Sequence, residues 1–223
     1  MLKGKGIISK LQKRVLNSLR IIPDSSYFYL TGGTALAEFY LGHRRSYDLD
    51  IFTAQKGLIL PFSRIVEEEL RKEKFSTNVI RRFSSFVEFE ISQENEIVRA
   101  QLALDSPFRF EEPLDSDLGV KINNYKDITV DKLLAFFGRA EPRDAVDLYF
   151  ILEKENFLEL ANLAKKKDPG FDMYWMAVAL EKVKDFPDKI SRWPVEMLID
   201  LDIKKLKNKF SSLTMEIMER LRK

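Results

Sequence analysis

The chain has 223 residues, 45% of them hydrophobic and 32% charged, enough for a buried core beneath a well-solvated surface. It has no cysteine and a single histidine, which excludes disulfides, thiol catalysis, thiolate zinc sites and multi-histidine metal sites, so any metal must be held by carboxylates. A net charge of +2 is too small to announce a nucleic-acid binder; no apolar run approaches the ~18 residues of a bilayer span, no apolar leader is visible, and a cytoplasmic protein without membrane contact is expected.

Residues 8–20 set Ile8, Leu11, Val15, Leu16 and Leu19 at helical spacing. Pro23 and Asp24 break the chain, and Tyr27-Phe28-Tyr29-Leu30 reads as a strand ended by Gly32-Gly33. Thr34 to Leu41 reads as a short helix closed by Gly42, and Leu49 to Phe52 as a second strand. A helix is expected from Pro61 to about Arg71 or Lys72, then strands over 77–82, 85–92 and 96–104, with a hairpin turn at Gln93 to Glu96. From Asp127 the pattern is helical: one helix over about 128–138, a second opening at Pro142, and two or three more punctuated by Pro169-Gly170, Pro187 and Pro194. The expected division is an α/β part over 1–125 and a helical part over 126–223. His43 reads as structural, and Trp175 and Trp193 as core or groove residues rather than base-stacking platforms.

Two segments carry chemistry. Gly32-Gly33-Thr34 lies between a strand and a helix, where glycines admit a ligand close to the backbone and the helix start favours an anion such as phosphate. Arg44-Arg45-Ser46-Tyr47-Asp48-Leu49-Asp50 follows one short helix later. Residues two apart on a strand share a face, so Asp48 and Asp50 are expected to project together while Leu49 and Ile51 enter the core. Parallel carboxylates repel, and a divalent cation between them, Mg2+ or Mn2+, relieves that repulsion and can bridge a nucleoside triphosphate (NTP). Ser46 and Arg44 or Arg45 are candidates for the same phosphates.

Gly32-Gly33-Thr34-Ala35-Leu36-Ala37 through His43-Arg44-Arg45-Ser46-Tyr47-Asp48-Leu49-Asp50-Ile51-Phe52 resembles the signature of the AbiEii/AbiGii-type nucleotidyltransferase toxins. The block from Asp131-Lys132 through Arg139 to Arg143-Asp144-Ala145-Val146-Asp147-Leu148 is similar to that family's second motif, and the resemblance spans about 25–155. It implies an α+β class: a DNA polymerase β-like nucleotidyltransferase mixed sheet with flanking helices, then a helical part that completes the nucleotide pocket. It further implies that Lys132 contacts nucleotide phosphates, with Arg139 and Arg143 nearby, and that Asp144 or Asp147 orients Lys132 or assists catalysis. The alternative for these residues is an ion-pair network that pins two helices together. Many enzymes of this superfamily carry a third carboxylate on a later strand. Here the expected position holds Gln101, and Asp105 lies some 13 Å further along the same strand face at about 3.3 Å per residue.

The leading functional expectation is transfer of a nucleoside monophosphate from an NTP to an RNA end, such as a tRNA, or to a protein hydroxyl, by the toxin of a toxin–antitoxin pair with a cognate antitoxin. Residues 201–223, with seven Lys/Arg against three Asp/Glu, could track RNA phosphates or form a solvated helix. The competing expectations are a catalytically degenerate nucleotide- or RNA-binding protein and an interaction scaffold that uses the helical part.

Overall fold

The computed structural model describes residues 1–222, which fall into two compact units, Met1–Tyr125 and the residues from Lys126 onward. No helix among the described residues is long and apolar enough to cross a membrane.

The first unit opens with an extended segment and helix α1 (Lys10–Arg20). Ser9 and Gln12 make a reciprocal capping box that satisfies two otherwise orphaned N–H groups at the helix start. Next come strand β1 (Tyr29–Thr31), helix α2 (Gly32–Ala35, continued as a π-helical stretch over Leu36–Leu41) and strand β2 (Leu49–Thr53). Helix α3 (Ile59–Lys72) precedes the long strands β3 (Ser76–Phe83), β4 (Phe86–Gln93) and β5 (Glu96–Leu104). Two short strands, β6 (Leu114–Asp115) and β7 (Lys121–Ile122), close the unit.

These strands form one seven-stranded mixed sheet in the order β3-β4-β5-β2-β1-β7-β6. β2 runs antiparallel to β1 and parallel to β5, and β1 runs parallel to β7. Strand alternation separates the faces: Leu49 and Ile51 of β2, Val87, Phe89 and Ile91 of β4, and Val98, Ala100 and Leu102 of β5 are all buried. The amphipathic helices α1 and α3 pack on this side through Val15, Leu16, Leu19, Phe62, Val66 and Leu70, and Phe28 stacks on Phe62 at 3.9 Å between ring centres. Asp50 and Phe52 occupy the other face and are half-buried.

Tyr27 and Phe28, expected in a strand, instead belong to or flank a 3-10 turn over Ser25–Tyr27, because Asp24 adopts a left-handed conformation at φ 66° and the chain bends before it can extend. The helix expected from Thr34 begins two residues earlier, since Gly32 and Gly33 belong to its first turn. Its end at Gly42 is as expected, with φ 72° and the Gly42 N–H donating to Ala37 O at 2.9 Å. The three long strands lie within one residue of their expected bounds, whereas β6 and β7, two residues each, are too short to show a period.

Glu38, 2% exposed on the π-helical stretch, ties the N-terminal segment to this unit. Its carboxylate accepts the backbone N–H groups of Gly6, Ile7 and Ile8 at 2.8, 2.6 and 3.0 Å, which replaces the water it loses on burial.

Helix α4 (Tyr125–Arg139) leads into the second unit, which continues with α5 (Pro142–Ile151), α6 (Phe157–Lys167), α7 (Met173–Glu181) and α8 (Ile203–Leu221). Its core includes Leu133, Phe136, Leu148, Leu160, Met176, Leu180 and Phe210, with Phe136 edge-on to Phe210. Trp193 is 4% exposed and donates its indole N–H to Pro187 O at 2.8 Å, as a core tryptophan should. Trp175 is not a core residue: it is 60% exposed beside Tyr174 at the start of α7, because Met176 and Ala177 take the inward positions of that turn.

Candidate nucleotidyl-transfer site

The site grows from one glycine turn. Gly32 opens α2 at φ +69°, a conformation that side chains strain to adopt. A Cβ there would stand 1.9 Å from Asp50 Oδ2 and 2.7 Å from its Cγ, so the acid of β2 lies directly against the glycine. A Cβ on Gly33 would stand 2.8 Å from both Arg44 Nη2 and Ser46 Oγ. The turn thus gathers a carboxylate, a guanidinium and a hydroxyl around two glycines, the first of them in a conformation that favours glycine. Arg44 is 6% exposed and its Nη1 donates to Arg45 O at 2.9 Å, so its charge is fixed in place.

Asp48 does not lie on the strand with Asp50, because β2 begins at Leu49. The Asp48 carbonyl accepts the Thr34 hydroxyl instead of a strand neighbour, and this bond ties the acidic loop to the first turn of α2. Thr34, 1% exposed, therefore spends its hydroxyl inside the protein, which differs from the ligand contact expected of it. His43 is fully buried at the base of the same loop.

Across the sheet, Asp50 pairs with Thr31 on one side and Gln101 on the other, and Gln101 pairs with Glu88. Neighbouring strands lie about 4.8 Å apart, so an amide stands next to Asp50. The next acid in that row, Glu88, is 3% exposed and ion-paired to Arg81 at 2.6 Å. Asp105 follows the end of β5, where its carboxylate accepts the Tyr29 hydroxyl and the Ser106 N–H. Arg109 stacks over the Tyr29 ring at 4.7 Å and donates to its hydroxyl at 3.1 Å. Burial, then Asp105, hold the Tyr29 phenol well above its usual pKa.

In the second unit, Lys132 of α4 pairs with Asp147 of α5 at 2.7 Å, with side chains 10% and 0% exposed. Arg139 grips the fully buried Asp144 with two prongs, Nε to Oδ2 at 2.5 Å and Nη2 to Oδ1 at 2.7 Å. Arg143 instead pairs with Glu141 at 3.0 Å on the surface. The motif residues thus form two ion pairs that join α4 to α5. The basic C-terminal segment is less uniform than its sequence suggests. Lys207 pairs with Asp188 at 2.7 Å, Lys209 donates to Leu152 O at 2.8 Å and pairs with Glu153, and Arg220 pairs with Glu216 at 3.0 Å. Lys204 and Lys205 stay exposed.

Two side chains near the glycine turn and the acidic loop had no functional expectation. Gln12 donates to the carbonyls just ahead of Asp48, and Glu38 anchors the N-terminal segment to α2. The Ser9-x-x-Gln12 spacing signals the helix start, but nothing in it signals a partner more than thirty residues away.

Known proteins share this fold. The crystal structure of a candidate nucleotidyltransferase from H. pylori has a similar fold, with a TM-score of 0.64 and 18% identity over 96% of this chain and 94% of that one. MenT4, a nucleotidyltransferase toxin of Mycobacterium tuberculosis H37Rv, matches at a TM-score of 0.55 and 15% identity over 92% of this chain and 82% of that one. In sequence, an uncharacterized protein of Aquifex aeolicus (strain VF5) is 29% identical over 192 residues, 82% of this chain and 86% of its own length. The family model described as nucleotidyl transferase AbiEii toxin, type IV TA system, matches residues 14–212. With that match across both motif blocks, and a fold shared with solved nucleotidyltransferases, the chain belongs to the AbiEii nucleotidyl transferase toxin family.

Proposed function

We propose that this protein transfers the nucleoside monophosphate of an NTP to an RNA end, tRNA-like in character, with release of pyrophosphate, and that it acts as the toxin of a toxin–antitoxin pair. The observation that carries the reading is the contact of Gly32 with Asp50 and of Gly33 with Arg44 and Ser46. Asp48 and Asp50 supply hard oxygen donors suited to Mg2+ or Mn2+, and glycine at position 32 is what lets the Asp50 carboxylate lie directly against the helix start. A divalent cation held there would neutralise charge on the reacting phosphate. No cluster of three or more His, Cys, Asp or Glu occurs among the described residues, so ligand phosphates and water would complete the shell, as is usual for Mg2+.

The protein's own groups then have distinct tasks. Backbone N–H groups at the Gly32-Gly33 helix start receive phosphate oxygens, and the Ser46 hydroxyl donates to the same group. Arg44, already fixed by burial, supplies positive charge without ordering a flexible side chain at the moment of reaction. Lys132, paired with Asp147 at 2.7 Å, is assigned phosphate contact in this proposal. In the transfer, the acceptor hydroxyl gives up its proton to solvent water and forms the new bond to the α-phosphorus, while the bond to the departing pyrophosphate breaks.

The test is incorporation of α-labelled NTP into purified tRNA or protein, with and without Mg2+, by wild type and Asp48→Asn. Metal-dependent labelling lost in a folded Asp48→Asn supports the reading; equal labelling by the two proteins refutes it. Asp48→Asn relieves like-charge repulsion, so its apo stability should hold or rise. A second reading, a nucleotide- or RNA-binding protein that does not turn over, is favoured by the amide of Gln101 beside Asp50. Saturable NTP binding without label transfer to any acceptor would select it.

A further inference from the structure

Gln12 lies on α1, far in sequence from either motif, and is 2% exposed. Its side-chain oxygen accepts the Ser9 N–H at 2.9 Å, which completes the capping box. Its side-chain nitrogen donates to Ser46 O at 2.9 Å and Tyr47 O at 3.0 Å. The network fixes the amide's orientation, since the donor must face two carbonyls and the acceptor an N–H. A buried primary amide has two N–H bonds to place, and here both go to successive peptides of the loop that carries Ser46 and Asp48.

The loop needs such a hold. Residues 45–48 belong to no helix or strand, so no ladder of backbone bonds fixes them. Thr34 holds the Asp48 carbonyl from α2, and Gln12 holds the two preceding carbonyls from α1. Asp48 is thereby pinned from two elements of the unit, and the backbone of Ser46 with it.

We infer that Gln12 is a positioning residue for the acidic pair: its amide sets the backbone of Ser46 and Tyr47, and so the reach of Asp48 toward a divalent cation. The inference rests on the proposed role of Asp48 and Asp50 as metal ligands. It separates from helix stability, because the two ends of the amide do different jobs. Gln12→Glu keeps an acceptor for the Ser9 N–H but turns an oxygen toward two carbonyls. Ser9→Ala removes the capping hydroxyl and leaves the amide donor intact.

The readout is Mn2+ binding to the full chain by electron paramagnetic resonance, with and without a non-hydrolysable NTP, alongside melting temperature and label transfer. Groups that orient metal ligands typically matter 10–100-fold, so Gln12→Glu should weaken Mn2+ binding about tenfold or more, with a parallel loss of transfer. Ser9→Ala should lower the melting temperature and leave Mn2+ affinity as in wild type. Should Gln12→Glu fold poorly, Gln12→Met, uncharged and of similar length, gives the same loss of Mn2+ affinity through the missing donor. Wild-type Mn2+ affinity in a folded Gln12→Glu or Gln12→Met overturns the inference and leaves the metal role of Asp48 standing. Mn2+ binding that Asp48→Asn does not alter removes the metal role, and this inference with it.

Discussion

Replacing Gly32 with alanine tests the geometry of the site without reference to any ligand. Two costs arise. A non-glycine residue held at φ +69° loses about 1–3 kcal/mol to backbone strain. The new methyl would also stand 1.9 Å from Asp50 Oδ2, 2.7 Å from Cγ and 3.0 Å from Cβ, all inside ordinary contact. Swinging the carboxylate aside costs a further ~0.5–1.5 kcal/mol for an off-rotamer side chain. Gly32→Ala should therefore lose about 2–4 kcal/mol, which for a chain of this size lowers the melting temperature by roughly 5–15 °C. Asp50→Ala removes the atoms at 1.9 and 2.7 Å, so in that background Gly32→Ala should cost about 1 kcal/mol less. Urea unfolding of the two single variants and the double variant measures this coupling. If Gly32→Ala costs the same with and without Asp50, the glycine does not lie against the acid. Displacing Asp50 by an ångström should also lower any transfer activity on the order of a hundredfold.

Three further outcomes are expected. Lys132→Met removes the cation beside the fully buried Asp147 and should cost about 3–5 kcal/mol in chemical denaturation, while a loss below about 1 kcal/mol would show that the pair does not join α4 to α5. Replacing Lys204 and Lys205 with Gln should weaken RNA labelling and flatten its salt dependence if the C-terminal helix tracks phosphates, whereas unchanged RNA labelling would remove that helix from the mechanism. Burial, and secondarily Glu111, push the Tyr40 phenol up to about 12. The folded state thus favours the protonated ring, and stability should be intact below the unfolded value near 10 and fall as pH rises from about 10 to 12. Tyr40→Phe should flatten that fall in pH-dependent melts; an unchanged slope would refute the burial argument.

Much of this protein was legible in its residues. The three long strands and the helix from Pro142 followed from period and punctuation, because strand alternation and helix starts are local properties, while the α+β class came with the family resemblance. The glycine turn and the acidic pair were also visible as motifs. Their juxtaposition was not: only the antiparallel pairing of β1 with β2 brings Gly32, one residue beyond Thr31, against Asp50. The same holds for the missing third acid. The sequence marks Gln101 as a candidate, but the register that seats it beside Asp50, and the ion pair that engages Glu88, belong to the sheet. Trp175 and Trp193 are alike in composition and opposite in burial, since burial depends on what packs against a helix turn. Gln12 shows the limit most plainly. Its spacing from Ser9 announces a helix start, a contact three residues long. The two carbonyls it holds lie 34 and 35 residues away, where chain folding rather than local preference decides who meets whom.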